Sequence, residues 1–341
     1  MHLIIKNQRL ILVSDEAIYN FLSINIEEFK IYPIEKVIIS NGINIGATIA
    51  YRDKNEKRPL VLLIMGTGTT DRDGNSFGFK TNLYKNLSDM FVEMGYVCIR
   101  YDKRGTHQST GKFKSTGLFD LVNDAAQVIE YAKELTYVDS DRIIVCGHSE
   151  GSMVATLLTK QTKLEKIILL GGACMCLKSA MEYQNFRMLD EFKDKKGFLA
   201  WFVNKTVSKE KVIKQLESLY DKAKNAKKDT FFFRGAFFPS KWLREHGELN
   251  DDDFVKMIEE YDGKVLAITG RADLQADYTC LDKISGLKNV ITYAPEKVNH
   301  MLKEIDDDNS FITVKKQYKR LAKNAMHDGV VKQIDEFLKL K

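Results

Sequence analysis

The sequence predicts an α/β protein with a mostly parallel central sheet, helices on both faces, and a mainly helical segment inserted late in the chain. Three observations carry this. From about residue 35, short β-branched apolar runs alternate with stretches of helical period, the pattern of strands joined by crossover helices. The apolar run at 143–145 turns into a helical stretch within a few residues, through Gly147-His148-Ser149-Glu150-Gly151. Residues 173–262 then separate two clear strands, which is too long for a loop in a compact domain and reads as a subdomain.

Taken in order, 36–40 and 45–52 flank Asn41-Gly42 and read as an opening hairpin. A buried strand at 60–65 ends in the glycine-containing loop GTGTTDRDGNS, and a helix around 83–94 leads to a strand at 96–101. Leu118, Leu121, Val122, Ala125, Ile129 and Ala132 recur three or four apart, one face of a helix. The strand at 143–145, a helix over 150–158 and a strand at 166–170 follow. Beyond the insertion come strands at 264–269 and 289–293, a short helix between them, and a C-terminal helical region ending VVKQIDEFLKLK. The domain reading is an N-terminal extension (1–34), a core (35–172 and 263–341) and a helical cap (173–262). The extension reads as a strand or two and a short helix, packed on the core or at an interface.

Composition narrows the function. The chain has 341 residues, 44% hydrophobic and 29% charged, with a net charge of +5. That charge is small for the length, and no basic arm or aromatic–basic stretch suggests nucleic acid. No apolar run is long enough to span a membrane, and the start lacks the pattern of a signal peptide. Five cysteines, an odd number, suggest reduced thiols in a cytoplasm. Cys174 and Cys176 lack a second pair at zinc spacing, and Asp71, Asp73 and Asn75 do not match a calcium loop. No metal or other cofactor is expected. The expected partners are a small ester and, at most, a second copy of the chain.

The bend at 147–151 matches G-x-S-x-G. Glycines two before and two after Ser149 suit a sharp strand-to-helix turn that leaves the serine hydroxyl exposed. The plainer alternative is a glycine-flanked N-cap serine. A serine hydroxyl needs a base, usually histidine, and a carboxylate to orient it. Of six histidines, His300 follows the last predicted strand, where the active groups of such sheets gather. His148 is directed away from the serine and reads as structural. Asp273 lies directly after the strand AIT and before His300; Asp277 and the more distant Asp102 compete with it. The order Ser149, Asp273, His300 is that of α/β-hydrolases. Two backbone N–H groups, of Glu150 after the nucleophile and of Thr67 after the third strand, are the expected oxyanion donors.

The combination of GTGTTDRDGN, RYDKRGTHQSTG, GHSEG, GRADLQ and VNH resembles bacterial α/β-hydrolases of the esterase and serine-aminopeptidase-like type. In that group a GSGPTDRDGN loop and an RYDKRGxGxS segment accompany the GHSEG turn. The resemblance covers roughly 37–172 and 264–301. It implies the α/β-hydrolase fold, with Ser149, Asp273 and His300 at the triad positions and Thr67 at the oxyanion loop. Two positions depart from it: His107 stands where the family has glycine, and Thr69 where it has proline.

The activity expected is hydrolysis of carboxylic esters with small or medium apolar acyl or aryl groups, through an acyl-enzyme. His107, Met175, Phe237, Phe238 and Trp242 are the expected pocket residues, the last three as part of an aromatic cap. The alternatives are peptide or thioester hydrolysis, acyl transfer to another acceptor, and a ligand receptor without catalysis. Glu245, Glu248 and Asp251 to Asp253 are the acids that a peptidase would present to a substrate amine.

Overall fold

Leu60, Leu62, Ile143, Val145, Ile167 and Leu169 pack on one face of a central sheet, and Val61, Leu63, Ile144, Cys146, Ile168 and Leu170 on the other. Successive strand residues point to opposite faces, so continuous Val/Ile/Leu runs fill two cores at once. In the computed structural model, which describes residues 2–6, 9–13, 31–306 and 309–340, this sheet has eight strands. They are β1 (Tyr32–Ser40), β2 (Ile43–Tyr51), β3 (Arg58–Ile64), β4 (Val97–Tyr101), β5 (Val138–His148), β6 (Lys166–Leu170), β7 (Lys264–Ile268) and β8 (Val290–Tyr293). Across the sheet they run β1-β2-β4-β3-β5-β6-β7-β8. β2 is antiparallel to both of its neighbours and every other pairing is parallel.

Ten described helices follow in chain order: α1 (Leu83–Glu93), α2 (Leu118–Lys133), α3 (Glu150–Leu158), α4 (Leu177–Lys193), α5 (Phe198–Thr206), α6 (Lys209–Asn225), α7 (Ser240–His246), α8 (Asp251–Glu259), α9 (Val314–Leu321) and α10 (Asp328–Leu338). α2 and α3 bury Leu118, Leu121, Val154 and Leu158 on the first face. α1 and α10 bury Leu87, Phe91, Ile334 and Phe337 on the second. The buried Lys166 opens β6, and its Nζ donates to the carbonyls of Leu338 (2.9 Å) and Leu340 (2.7 Å), satisfying acceptors at the end of α10.

Between β6 and β7 lie α4 to α8 and an antiparallel hairpin, Thr230–Phe233 with Ala236–Pro239. The run FFFRGAFFP is therefore strand, turning at Arg234 and Gly235, both at positive φ. α6, α7 and the hairpin enclose a cluster of their own around Val212, Leu216, Leu219, Phe231 and Leu243, seated on Met153 of α3. α8 adds Phe254 to this cluster, packs against α3 and buries Ile258 in the first core.

His2–Lys6 and Arg9–Val13 pair as an antiparallel hairpin. The helix expected in the N-terminal stretch falls outside the described residues. Among the described residues no helix is long and apolar enough to cross a membrane. All five cysteines are free and buried.

Candidate active site

Ser149 sits between β5 and α3 with φ 57° and ψ −123°, a backbone conformation that a residue with a side chain adopts only under strain. The neighbouring chain permits nothing larger than glycine around it. A Cβ on Gly147 would meet the Gly151 carbonyl oxygen at 2.0 Å, and one on Gly151 would meet the Ile64 oxygen at 2.1 Å. A Cβ on Gly172 would come within 2.6 Å of the Ser149 oxygen. The Ser149 N–H donates to the Leu170 carbonyl at 2.8 Å, pinning the turn to β6.

His300 follows β8 and Asp273 follows β7, and the two meet: His300 Nδ1 lies 2.7 Å from Asp273 Oδ2. Both are buried, with 6% and 2% of their surface exposed. Asp273 Oδ1 accepts the N–H groups of Gln275 (2.7 Å) and Ala276 (3.0 Å), which fixes the carboxylate plane. Gly171, at φ 59°, leaves room for the pair; a Cβ there would stand 3.1 Å from His300 Nδ1. Asp277 is turned to another task, capping the 3-10 helix Tyr278–Lys283 by accepting from the N–H and hydroxyl of Thr279. Asp102 is held by Arg72, at 2.9 Å from its guanidinium and 2.8 Å from its N–H.

Behind the His300 imidazole a relay connects His300 to the loop at Gly66. The Gly66 N–H donates to Tyr84 Oη at 2.8 Å, Tyr84 Oη lies 3.1 Å from His148 Nδ1, and His148 Nε2 lies 2.8 Å from the His300 carbonyl oxygen. Burial, with His300 adjacent, lowers the His148 pKa to about 3, and burial pushes the Tyr84 hydroxyl well up. His148 is thus neutral, with Nε2–H donating to the carbonyl and Nδ1 accepting from tyrosine. Its structural role was legible; its two partners, far off in sequence, were not.

Glu150 opens α3, so its N–H has no acceptor within the helix. Its side chain is 2% exposed and fully engaged: Oε2 with Lys103 Nζ at 2.5 Å, Oε1 with Trp242 Nε1 at 2.5 Å and His246 Nε2 at 3.1 Å. Burial alone would raise this carboxyl, but Lys103 and then His246 hold it well below the usual carboxylate range. Lys103 Nζ also donates to the Gly66 carbonyl at 2.6 Å. Neither Lys103 nor Tyr84 stood out in the sequence, although Lys103 lies within the motif RYDKRG directly after β4.

The two motif loops are stapled together by Arg72–Asp102 and by Arg100–Asp73, the latter at 2.7 Å. Asp71 accepts the N–H groups of Asp73 (3.0 Å) and Asn75 (2.8 Å) within its own loop. Among the described residues no group of three His, Cys, Asp or Glu side chains is placed to hold a metal.

A cavity of about 440 Å³ opens over the turn, lined by Ser149, His300, Gly66, Thr67 and Glu150 below. Met153, Met175, Leu177, Met181, Phe238 and Trp242 supply apolar walls. Of the expected pocket residues, Met175, Phe238 and Trp242 line this cavity and Phe237 and His107 do not. Phe237 is 72% exposed, because strand alternation turns it away from Phe238 to pack on Phe232 across the hairpin. His107 is exposed at φ 44°, its Nε2 bonded to the Thr69 carbonyl outside the cavity. That left-handed backbone suits the glycine the resemblance puts at this position.

The model of a family described as serine aminopeptidase, S33, matches residues 77–273, more than half of the chain. The chain belongs to the serine aminopeptidase S33 family. The matched span includes Ser149 and ends at Asp273. Among curated proteins, this S33 chain is 24% identical over 273 residues to Esterase EstD of Thermotoga maritima, covering 79% of the chain and 60% of that relative. It thus spans about three fifths of the relative's length. Among solved structures, Est1E of Butyrivibrio proteoclasticus with ferulic acid bound matches with a TM-score of 0.54 at 20% identity, over 85% of this chain and 98% of that one. The Pyrococcus furiosus esterase Pf2001 matches with a TM-score of 0.55 at 14% identity, over 92% of each. The fold of this family member is that of the α/β-hydrolases.

Proposed function

We propose that this chain is a carboxylesterase with Ser149 as nucleophile, His300 as general base and Asp273 as the orienting acid. The observation behind this reading is the 2.7 Å contact between His300 Nδ1 and Asp273 Oδ2, beside a strained serine on the same cavity. With Nδ1 committed to Asp273, Nε2 is the proton acceptor. It takes the hydroxyl proton as Ser149 Oγ attacks the ester carbonyl, and the N–H groups of Thr67 and Glu150 hold the oxyanion. The proton passes to the leaving alcohol as the C–O bond breaks, giving acyl-Ser149. Water then loses a proton to His300, attacks the acyl carbon and releases the acid, and the proton returns to Oγ.

The cavity lining favours neutral, apolar esters over aminoacyl substrates. Glu150 is the sole carboxylate among its described lining residues, and both of its oxygens are engaged. None of Glu245, Glu248 and Asp251 to Asp253 is among the described lining residues of the cavity. Glu245 accepts from the Phe119 N–H, and Asp251 binds Lys283 and the Cys176 N–H. The apolar part of the substrate rests on Met181, Phe238 and Trp242, with the segment between β6 and β7 acting as a cap. Relatives and neighbours named as esterases agree with this reading.

A fluorophosphonate probe tests the nucleophile, and should label the wild type but not Ser149→Ala. A panel of p-nitrophenyl esters, acyl thioesters and aminoacyl anilides should give the highest kcat/KM for the esters. Faster anilide turnover would make it a peptidase, and an unlabelled wild type would make it a receptor.

A further inference from the structure

The buried lysine of the RYDKRG motif has no part in the proton transfers, yet it touches both walls of the oxyanion site. Lys103 Nζ donates to the Gly66 carbonyl at 2.6 Å and to Glu150 Oε2 at 2.5 Å, and only 3% of the residue is exposed. The Gly66 carbonyl and the Thr67 N–H belong to one peptide group. No described peptide bond is cis, so that oxygen and that N–H point in opposite directions from one rigid plane. Whatever holds the oxygen therefore aims the N–H. The opposite wall is the Glu150 N–H, and the same ammonium grips the side chain of that residue.

We propose that Lys103 is a positioning residue for the oxyanion hole, aiming the Thr67 N–H through the Gly66 carbonyl and setting its spacing from the Glu150 N–H. The inference rests on the esterase reading above. The ammonium also polarises the peptide: a cation on the carbonyl oxygen makes the N–H at the other end a stronger donor, as bonded groups in a low-dielectric site reinforce one another. The adjoining Gly66 N–H is held by Tyr84 Oη at 2.8 Å, so both peptides that flank the Gly66 Cα are hydrogen-bonded to side chains. Glu150 is the ion-pair partner of the buried lysine, and Trp242 and His246 occupy its other oxygen.

A structural role alone predicts that activity follows stability. Lys103→Met leaves the Glu150 carboxylate without its cation and should lower the melting temperature. The double variant Lys103→Met/Glu150→Gln removes both charges and should regain most of that loss. If Lys103 positions the peptide, the double variant stays slow. Its kcat for p-nitrophenyl esters should be about 10- to 100-fold below wild type with KM little changed, somewhat less than the 10²–10³ lost when a donor is removed outright. Affinity for an alkyl boronic acid, whose tetrahedral adduct on Ser149 places an oxygen in the hole, should fall by the same factor, while affinity for the product acid is unchanged. Lys103→Arg should recover part of kcat by donating to the same carbonyl.

Recovery of wild-type kcat by the refolded double variant would overturn the proposal, as would equal losses in boronate and product affinity. Failure of the underlying esterase reading looks different: the wild type itself would then resist the fluorophosphonate probe.

Discussion

His300 and Asp273 stand 27 positions apart in the chain and 2.7 Å apart at their nearest side-chain atoms. The contact forms because β7 and β8 are parallel neighbours whose C-terminal ends open on the same side of the sheet. Asp273→Asn would preserve the shape and reverse the hydrogen bond, presenting the wrong tautomer to Ser149. Ester hydrolysis should fall by roughly 10³–10⁴. Asp277→Asn, which weakens only a helix cap, should change kcat less than threefold; steady-state kinetics on one p-nitrophenyl ester compares the two.

Ser149→Ala should lower kcat by roughly 10⁴ or more while its circular dichroism matches wild type. Ser149→Gly should be equally inactive but melt at a higher temperature than Ser149→Ala, because glycine tolerates φ 57°. Strain of this kind costs about 1–3 kcal/mol, of which glycine's own backbone entropy returns roughly 0.5–1 kcal/mol. Identical melting of the two variants would mean that the turn is not strained.

His148 should contribute to the acid limb of stability. An ordinary histidine titrates near 6.5, and burial lowers this one to about 3. As pH falls below 6.5 the unfolded chain gains a proton that the folded protein refuses until about pH 3. Stability is therefore full above 6.5 and is lost through that window, by up to about 1.4 kcal/mol per pH unit. Urea midpoints between pH 7 and 5 should fall in the wild type and flatten in His148→Gln. A parallel decline in both would assign the effect to other groups.

Phe238→Ala and Met181→Ala should reduce kcat/KM for long acyl or aryl esters by about 1–3 kcal/mol of transition-state binding, with little change for acetates. Phe237→Ala, exposed beyond the hairpin, should leave both substrates alike. Uniform losses across chain lengths for Phe238→Ala, with lowered melting, would mean that its ring supports the fold rather than the substrate.

What could be read in advance was whatever is local. Short continuous apolar runs at 60–65 and 143–145 indicated buried strands, and the glycines of GHSEG indicated the turn. The carboxylate–histidine pair followed from each lying just beyond a strand. The polar start of β5, VDSDR, hid half of that strand, because its residues leave the core before the ladder ends. FFFRGAFFP has the composition of a strand and of a buried helix alike, and Arg234 is not a residue that signals a turn. Lys103, Tyr84, His148 and His246 act on partners far away in the chain, and no spacing rule connects them.

The segment between β6 and β7 reaches the Asp273 and Ser149 loops at separate anchor points. Tyr183 and Gln184 of α4 donate to the carbonyls of Asp273 (3.1 Å) and Gln275 (2.9 Å), while Trp242 and His246 of α7 take hold of Glu150. In evolutionary terms this divides the segment into fixed and free positions. Drift at Leu177, Met181 or Phe238 reshapes the wall without touching an anchor, so substrate range can diversify by single steps. Wholesale exchange of the segment would instead release the Asp273 loop and the Ser149 turn together, which makes transplantation between lineages a costly route to a new specificity.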